Sequence, residues 1–239
     1  MIDTILFDLD GTLLFLDEDK FTEVYFSGLI NAFLAATGKD SSLIEAILAG
    51  TWAMVDNDGS MTNEDRFWTT FETYGLGSRQ EVEPIFVRYY QEHFDSVKVS
   101  SWPNPGAVDV IRKVIAKGYR IVLATNPLFP RIATFKRIGW LGLETEAFWH
   151  VTTYENSRHA KPNLAYYEAL LSDLSLDPAR CLMIGNDIDE DMIIAKLGVE
   201  TFLVTDCLIN RSGKSLDMFT HGDFNALEKY LEELPAVKK

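Results

Sequence analysis

Short apolar runs that each end in a small polar or acidic residue, separated by stretches of helical spacing, constrain this chain more than any other feature. Ile5-Leu6-Phe7 runs into Asp8, residues 120–124 into Thr125-Asn126, Leu182-Met183-Ile184 into Gly185-Asn186-Asp187, and residues 201–204 into Thr205-Asp206. Continuous apolar runs of this length suit strands buried on both faces, as in a parallel sheet. Between them the spacing predicts helices over 107–117, 129–138, 163–174 and 189–197, with Gly118, Gly139 and Gly198 near three helix ends as left-handed caps. Such alternation implies right-handed crossovers and an α/β, doubly wound parallel sheet. Ligands of these sheets bind at the carboxyl ends of strands, where the polar residues fall.

Residues 17–96 break the pattern. They hold no clear parallel-strand run and read as successive helices, the first with Phe26, Leu29, Ile30, Phe33 and Leu34 on one apolar face. Thr37-Gly38-Lys39-Asp40 ends that helix, and further helices are predicted over 42–52, 63–73 and 79–94. Residues 100–106, with Pro103 and Pro105, form a return linker. The expected organisation is a core built from 1–16 and 97–239, with an all-helical cap over 17–96.

The formal net charge of −14 argues against nucleic acid, whose phosphates select clustered Lys and Arg. It leaves room for a small phosphorylated substrate, because a bound metal and one or two cations can reverse the field inside a cleft. Two cysteines, Cys181 and Cys207, make no disulfide framework for 239 residues and no CxxC pair. Asp3, Asp8 and Asp10 interrupt any signal-peptide core, and no apolar run approaches the roughly 20 residues that span a bilayer. The expectation is a cytoplasmic protein with no membrane partner.

Asp8-Leu9-Asp10-Gly11-Thr12, directly after the first apolar run, is the strongest chemical signal. Two carboxylates one residue apart at a strand end can converge on one metal and one reacting centre. One can attack phosphorus as a covalent nucleophile; the other can protonate a leaving oxygen and later deprotonate water. Gly11 lets the chain turn sharply. Thr125-Asn126, Lys161 and the acidic run after Gly185 are weak signals singly. Their order and strand-end placement give them weight together.

These segments resemble the four signatures of the haloacid dehalogenase-like hydrolases. Asp8 to Thr12 is similar to the first, Thr125-Asn126 to the second, Lys161 in His159-Ala160-Lys161-Pro162 to the third, and Gly185-Asn186-Asp187-Ile188-Asp189-Glu190-Asp191 to the fourth. The helical segment resembles that family's C1 cap on a Rossmann-like core. The resemblance implies an Mg²⁺-dependent phosphatase acting on a small phosphorylated metabolite. Asp8 would become an aspartyl-phosphate, Asp10 would act as general acid and base and lend its carbonyl to the metal, Thr125 and Asn126 would bind phosphoryl oxygens, and Lys161 would neutralise charge. Asp10 counts against dehalogenation, since family members acting on carbon–halogen bonds lack it. A phosphomutase and a non-catalytic phosphometabolite-binding module are the alternatives.

The fourth segment departs from the family pattern, in which Gly-Asp is common, because Asn186 follows Gly185. Asp187 is the expected metal ligand, with Asp191 behind it orienting Lys161 or water; Asn186 could bind the metal instead through its amide oxygen. Trp52, Trp68 and Tyr74 could line a substrate pocket but at helical spacing read first as cap core. Arg66 and Asp58 are candidate specificity residues by position alone.

Overall fold

The computed structural model describes residues 1–39 and 42–237; Asp40 and the last two residues of the expected core lie outside them. In chain order the elements are β1 (Thr4–Phe7), β2 (Leu14–Leu16), α1 (Glu18–Thr37), α2 (Leu43–Val55), α3 (Asn63–Glu72), α4 (Arg79–Glu92), β3 (Ser101–Pro103), α5 (Ala107–Ala116), β4 (Arg120–Leu123), α6 (Arg131–Trp140), β5 (His150–Val151), α7 (Leu164–Asp173), β6 (Cys181–Gly185), β7 (Glu200–Val204), β8 (Thr220–Gly222) and α8 (Phe224–Glu233).

Six strands form one parallel sheet in the order β5-β4-β1-β6-β7-β8. The chain winds outward from β1 through β4 to β5, then returns to the other side of β1 at β6, so the winding reverses at β1. The register sets Phe7 opposite both Leu123 and Ile184. Asp8 therefore leaves the sheet at the same level as the residues after β4 and β6. Both faces of β1 are buried, with Ile5 and Phe7 in one apolar cluster and Leu6 in another with Val122, Met183 and Tyr167. Burial on both sides explains why the strand reads as a continuous apolar run.

Helices α1 to α4 stand between β2 and β3, which pair antiparallel with Phe15 opposite Trp102. The chain thus leaves for the helical insertion and returns through one two-stranded ribbon, in place of the expected irregular linker. On α1 the buried stripe is Phe21, Tyr25, Leu29 and Phe33, at strict fourth-residue spacing, whereas Leu34 is 40% exposed. The apolar face therefore lies rotated from the one expected, because Phe21 and Tyr25 anchor its first turns. Gly139 does not cap a helix: α6 runs through it to Trp140, and Gly142, at φ +80°, takes the left-handed turn. The helix expected over 189–197 is a 3-10 helix over Met192–Leu197 preceded by a tight turn.

The insertion is fastened to the core. The backbone N–H of Asn63 donates to Ser157 O (2.8 Å) and that of Glu64 to Tyr154 O (2.9 Å). The fully buried Asn63 amide accepts from Asn57 Nδ2 (2.8 Å) and donates to Pro127 O (3.2 Å) and His159 O (3.1 Å). Among the described residues no helix is long and apolar enough to cross a membrane.

Candidate functional site

The three central strands deliver their polar ends to one place. Asp8 follows β1, with its backbone N–H bonded to Ile184 O (2.9 Å). Lys161, 1% exposed, reaches in from the loop before α7 and places Nζ 2.8 Å from Asp8 Oδ1 and 2.6 Å from Asp191 Oδ1. One ammonium thus joins the first, third and fourth sequence segments. Gly185 is required beside it, because a Cβ there would sit 2.2 Å from Asp191 Oδ2.

Burial pushes the Asp8 carboxyl up to about 8; Lys161 draws it down, while Asp191 and Asp10 add to the rise. Burial alone would lower the Lys161 ammonium, but Asp191 and Asp8 hold it well above the ordinary lysine value. Lys161 therefore keeps its proton between the two carboxylates.

The fourth segment divides its labour in an unexpected way. Asp187 Oδ1 accepts from the backbone N–H groups of Asp189 (2.7 Å) and Glu190 (2.9 Å), and Oδ2 accepts from Arg211 Nη1 (2.7 Å). Three of the roughly four acceptor positions of its carboxylate are thus taken by its own turn and one arginine. Asn186, by contrast, donates from Nδ2 to Cys207 O (2.7 Å), which orients its Oδ1 toward Thr12 Oγ1 (2.9 Å). The same Thr12 hydroxyl lies 3.5 Å from Asp8 Oδ2. A carbonyl can only accept, so the Cys207 contact settles which amide atom is oxygen. Gly11 at φ +85° makes room, since a Cβ there would meet the Asn186 amide at 2.3 Å. Asp187 and Asp191 do not share a target: Asp191 turns to Lys161 and takes the Asp187 N–H on its other oxygen (3.0 Å).

Thr125 is buried, with its carbonyl held by Thr152 Oγ1 (2.7 Å) and the Tyr166 hydroxyl (3.1 Å). Asn126 ties the second segment to the third, accepting from Lys161 N (3.2 Å), and donates to Glu190 Oε2 (3.1 Å). His159 meets Asn57 O through Nδ1 (3.1 Å), a contact from the third segment to the helical insertion. Trp68 is buried among the insertion's aromatics, whereas Trp52 and Tyr74 are exposed, and Arg66 pairs with Asp58 (2.7 Å).

Asp10 holds a partner that sequence reasoning missed. Its Oδ2 pairs with the Arg137 guanidinium, which is 2% exposed and lies 4.7 Å over the Phe129 ring. Asp10 Oδ1 and Arg137 Nε are buried without protein partners. The signal was present on α6: helical spacing puts Arg137 on the buried face with Ala133, Thr134 and Ile138, an odd place for an arginine without a mate. Arg211 carried no comparable mark, and Thr12 stood in the first segment without a role of its own.

Among the described residues no three His, Cys, Asp or Glu side chains cluster in a metal-holding group. The donors at hand are all oxygen: the Asp8 carboxylate, the Asn186 amide and main-chain carbonyls. That set suits a hard cation that keeps several waters and takes only one or two carboxylates. The raised Asp8 fits the same cation.

The chain is 25% identical over 206 residues to the glyceraldehyde 3-phosphate phosphatase of Methanothermobacter thermautotrophicus, covering 85% of this chain and 86% of that protein. Its fold resembles a HAD phosphatase from Thermococcus onnurineus (TM-score 0.60, 18% identity, 99% and 100% of the two chains). It also resembles a HAD-hydrolase of Bacillus subtilis bound to magnesium (TM-score 0.54, 20% identity, 97% and 99% of the chains). With residues 2–198 matching the haloacid dehalogenase-like hydrolases, the chain belongs to that family of enzymes.

Proposed function

We propose that this hydrolase dephosphorylates a small phosphorylated metabolite through a phosphorylated Asp8, with Mg²⁺ held by Asp8, the Asp10 carbonyl and the Asn186 amide oxygen. The observation that carries the reading is the Lys161 ammonium, buried and clamped between Asp8 and Asp191 at the end of the central strand. Phosphoryl transfer needs positioning and charge neutralisation more than covalent help, and this arrangement supplies both. When bound, the cation neutralises charge on the phosphoryl oxygens and on Asp8.

Asp8 Oδ2, the oxygen not taken by Lys161, attacks phosphorus as the bond to the leaving alcohol oxygen breaks. Asp10 gives that oxygen a proton. Asp10 then takes a proton from water as the water oxygen attacks the phosphorus of the aspartyl-phosphate, freeing inorganic phosphate and Asp8. Lys161 keeps its proton throughout and offsets the charge around Asp8. Thr125 and Asn126 receive the phosphoryl oxygens. Arg137 fixes the side chain of Asp10, and the fastened helical insertion limits water and large substrates.

Asp187 serves as the anchor of the fourth turn, with the metal role passing to Asn186. The test is turnover of para-nitrophenyl phosphate with and without Mg²⁺, comparing the native chain with Asp8→Asn. Mg²⁺-dependent release lost in the variant is expected; equal activity in both would sink the reading.

A further inference from the structure

Lys161 is held at both ends, and the clamp on its ammonium is only one of them. Asp8 and Asp191 take the ammonium. Asn126 takes the peptide: its Oδ1 accepts from Lys161 N (3.2 Å), and its Nδ2 lies 3.4 Å from Lys161 O. One side-chain amide thus pairs with both polar main-chain groups of Lys161 and ties the loop after β4 to the loop before α7. The pairing works in one amide orientation only. Turned over, the amide sets its NH2 against the Lys161 N–H and its oxygen against the Lys161 carbonyl.

Glu190 fixes that orientation. Its Oε2 accepts from Asn126 Nδ2 at 3.1 Å, and an ionised carboxylate can only accept. The Glu190 backbone is pinned on both sides, its N–H to Asp187 Oδ1 (2.9 Å) and its carbonyl to the Tyr167 hydroxyl (3.0 Å). The side chain therefore starts from a fixed point. Glu190 and Asp191 are consecutive, so one turn grips Lys161 twice, at the ammonium directly and at the peptide through Asn126. Among the described residues the Asn126 N–H itself donates to no protein group, which leaves it for a phosphoryl oxygen. Burial pushes the Glu190 carboxyl above the ordinary glutamate value; Lys161 draws it down, and Asp191 and Asp187 add to the rise. A carboxylate beside an arriving dianion opposes binding by its charge. What offsets that charge is the strong hydrogen bond it gives the amide.

We propose that Glu190 is a positioning residue: it locks the Asn126 amide against Lys161 and so holds the Asn126 N–H on the phosphoryl site. This rests on the phosphatase reading for what that N–H meets. The loop touches the phosphoryl group in ground and transition state alike, so loosening it removes uniform binding and raises KM at constant kcat. In Glu190→Ala, KM for para-nitrophenyl phosphate and the calorimetric Kd of inorganic phosphate, both with Mg²⁺, should rise about five- to tenfold, with kcat within about twofold. Glu190→Gln keeps an oxygen for Asn126 and should return both constants to within about threefold of native. Glu190→Ser, too short to reach Asn126, replaces the alanine variant should that chain not fold. Tighter phosphate in both variants would show a charge brake instead and overturn the proposal, as would lowered stability with KM and Kd unchanged. The lock itself is read without substrate from the Asn126 side-chain amide resonances. A proton shifted downfield by the carboxylate in the native chain should move upfield in Glu190→Ala and stay in Glu190→Gln; no movement in the alanine variant also overturns it. A native chain that hydrolyses no para-nitrophenyl phosphate defeats the phosphatase reading, while the amide signal still decides the lock.

Discussion

Replacing Asn186 by Asp separates the two candidate metal ligands of the fourth segment. Asn186 donates a 2.7 Å hydrogen bond to the Cys207 carbonyl, and an aspartate oxygen in that place would face another acceptor. Losing the bond and orphaning a half-buried carbonyl costs about 1–3 kcal/mol. For a chain of this size that lowers the metal-free Tm by roughly 2–12 °C. Against this loss the variant sets a second carboxylate beside Asp8, and carboxylate count tunes affinity for hard cations over orders of magnitude. A tenfold gain in Mg²⁺ affinity adds about 1.4 kcal/mol at saturation, so the Mg²⁺-induced rise in Tm should exceed the native one by about 3–5 °C.

Asp187→Asn is the control. It keeps an oxygen for the Asp189 and Glu190 N–H groups and gives up an ion pair with Arg211, whose side chain is 60% exposed. Such a pair is worth at most about 1 kcal/mol. Mg²⁺ affinity, read by calorimetry, should stay within about twofold. The reasoning is refuted by the reverse pattern: Mg²⁺ binding abolished in Asp187→Asn and unchanged in Asn186→Asp.

Two further outcomes follow from the buried polar contacts. Arg137→Leu strands Asp10 but relieves no exposed charge; with Asp10 a quarter exposed, the loss should fall near the lower end of the range for broken buried pairs, about 3 kcal/mol by chemical denaturation. In the same variant kcat for para-nitrophenyl phosphate should drop about 10–100-fold with Mg²⁺ affinity retained, because Asp10 is misplaced rather than absent; an unchanged kcat would remove Arg137 from the positioning of Asp10. Asn63→Ala deletes one accepted and two donated hydrogen bonds at full burial, so stability should fall by about 2–4 kcal/mol and amide exchange in 57–63 should quicken before the β1 core does.

The sheet was legible because burial on both faces leaves a mark that needs no partner to be read: Ile5, Leu6 and Phe7 are all apolar since both sides of β1 face packed layers. Strands β2, β3, β5 and β8 span three residues or fewer and owe their existence to a neighbour, so no local pattern announces them. The site shows the same divide. Asp8 and Lys161 could be chosen by strand-end position and resemblance, and they meet at 2.8 Å. Asp187 was preferred over Asn186 because a carboxylate is the usual partner of a cation. The structure gives Asp187 partners in its own turn and at Arg211, and aims the Asn186 amide through the Cys207 carbonyl. Arg211 and Cys207 lie 24 and 21 residues from the side chains they meet, and charge and spacing along the chain do not encode those contacts.

Charge within the site connects these observations. Lys161 is matched to Asp8 and Asp191, Arg137 to Asp10, and Arg211 to Asp187, so every cation contacting a site carboxylate among the described residues is already answered by one. Four carboxylates against three cations leave a formal deficit before any substrate arrives. A phosphoryl dianion deepens it, and a divalent cation cancels the dianion's two charges. Phosphate and Mg²⁺ should therefore bind cooperatively, each strengthening the other by the same factor, since coupling between binding free energies is reciprocal. Calorimetry of phosphate at zero and saturating Mg²⁺, and of Mg²⁺ at zero and saturating phosphate, measures that factor twice. About tenfold or more is expected in both directions for opposite charges meeting in a partly buried site. Phosphate that binds equally well without the metal would mean that Lys161 or Arg137 is freed from its carboxylate on binding, and the paired-cation account of the site would fall.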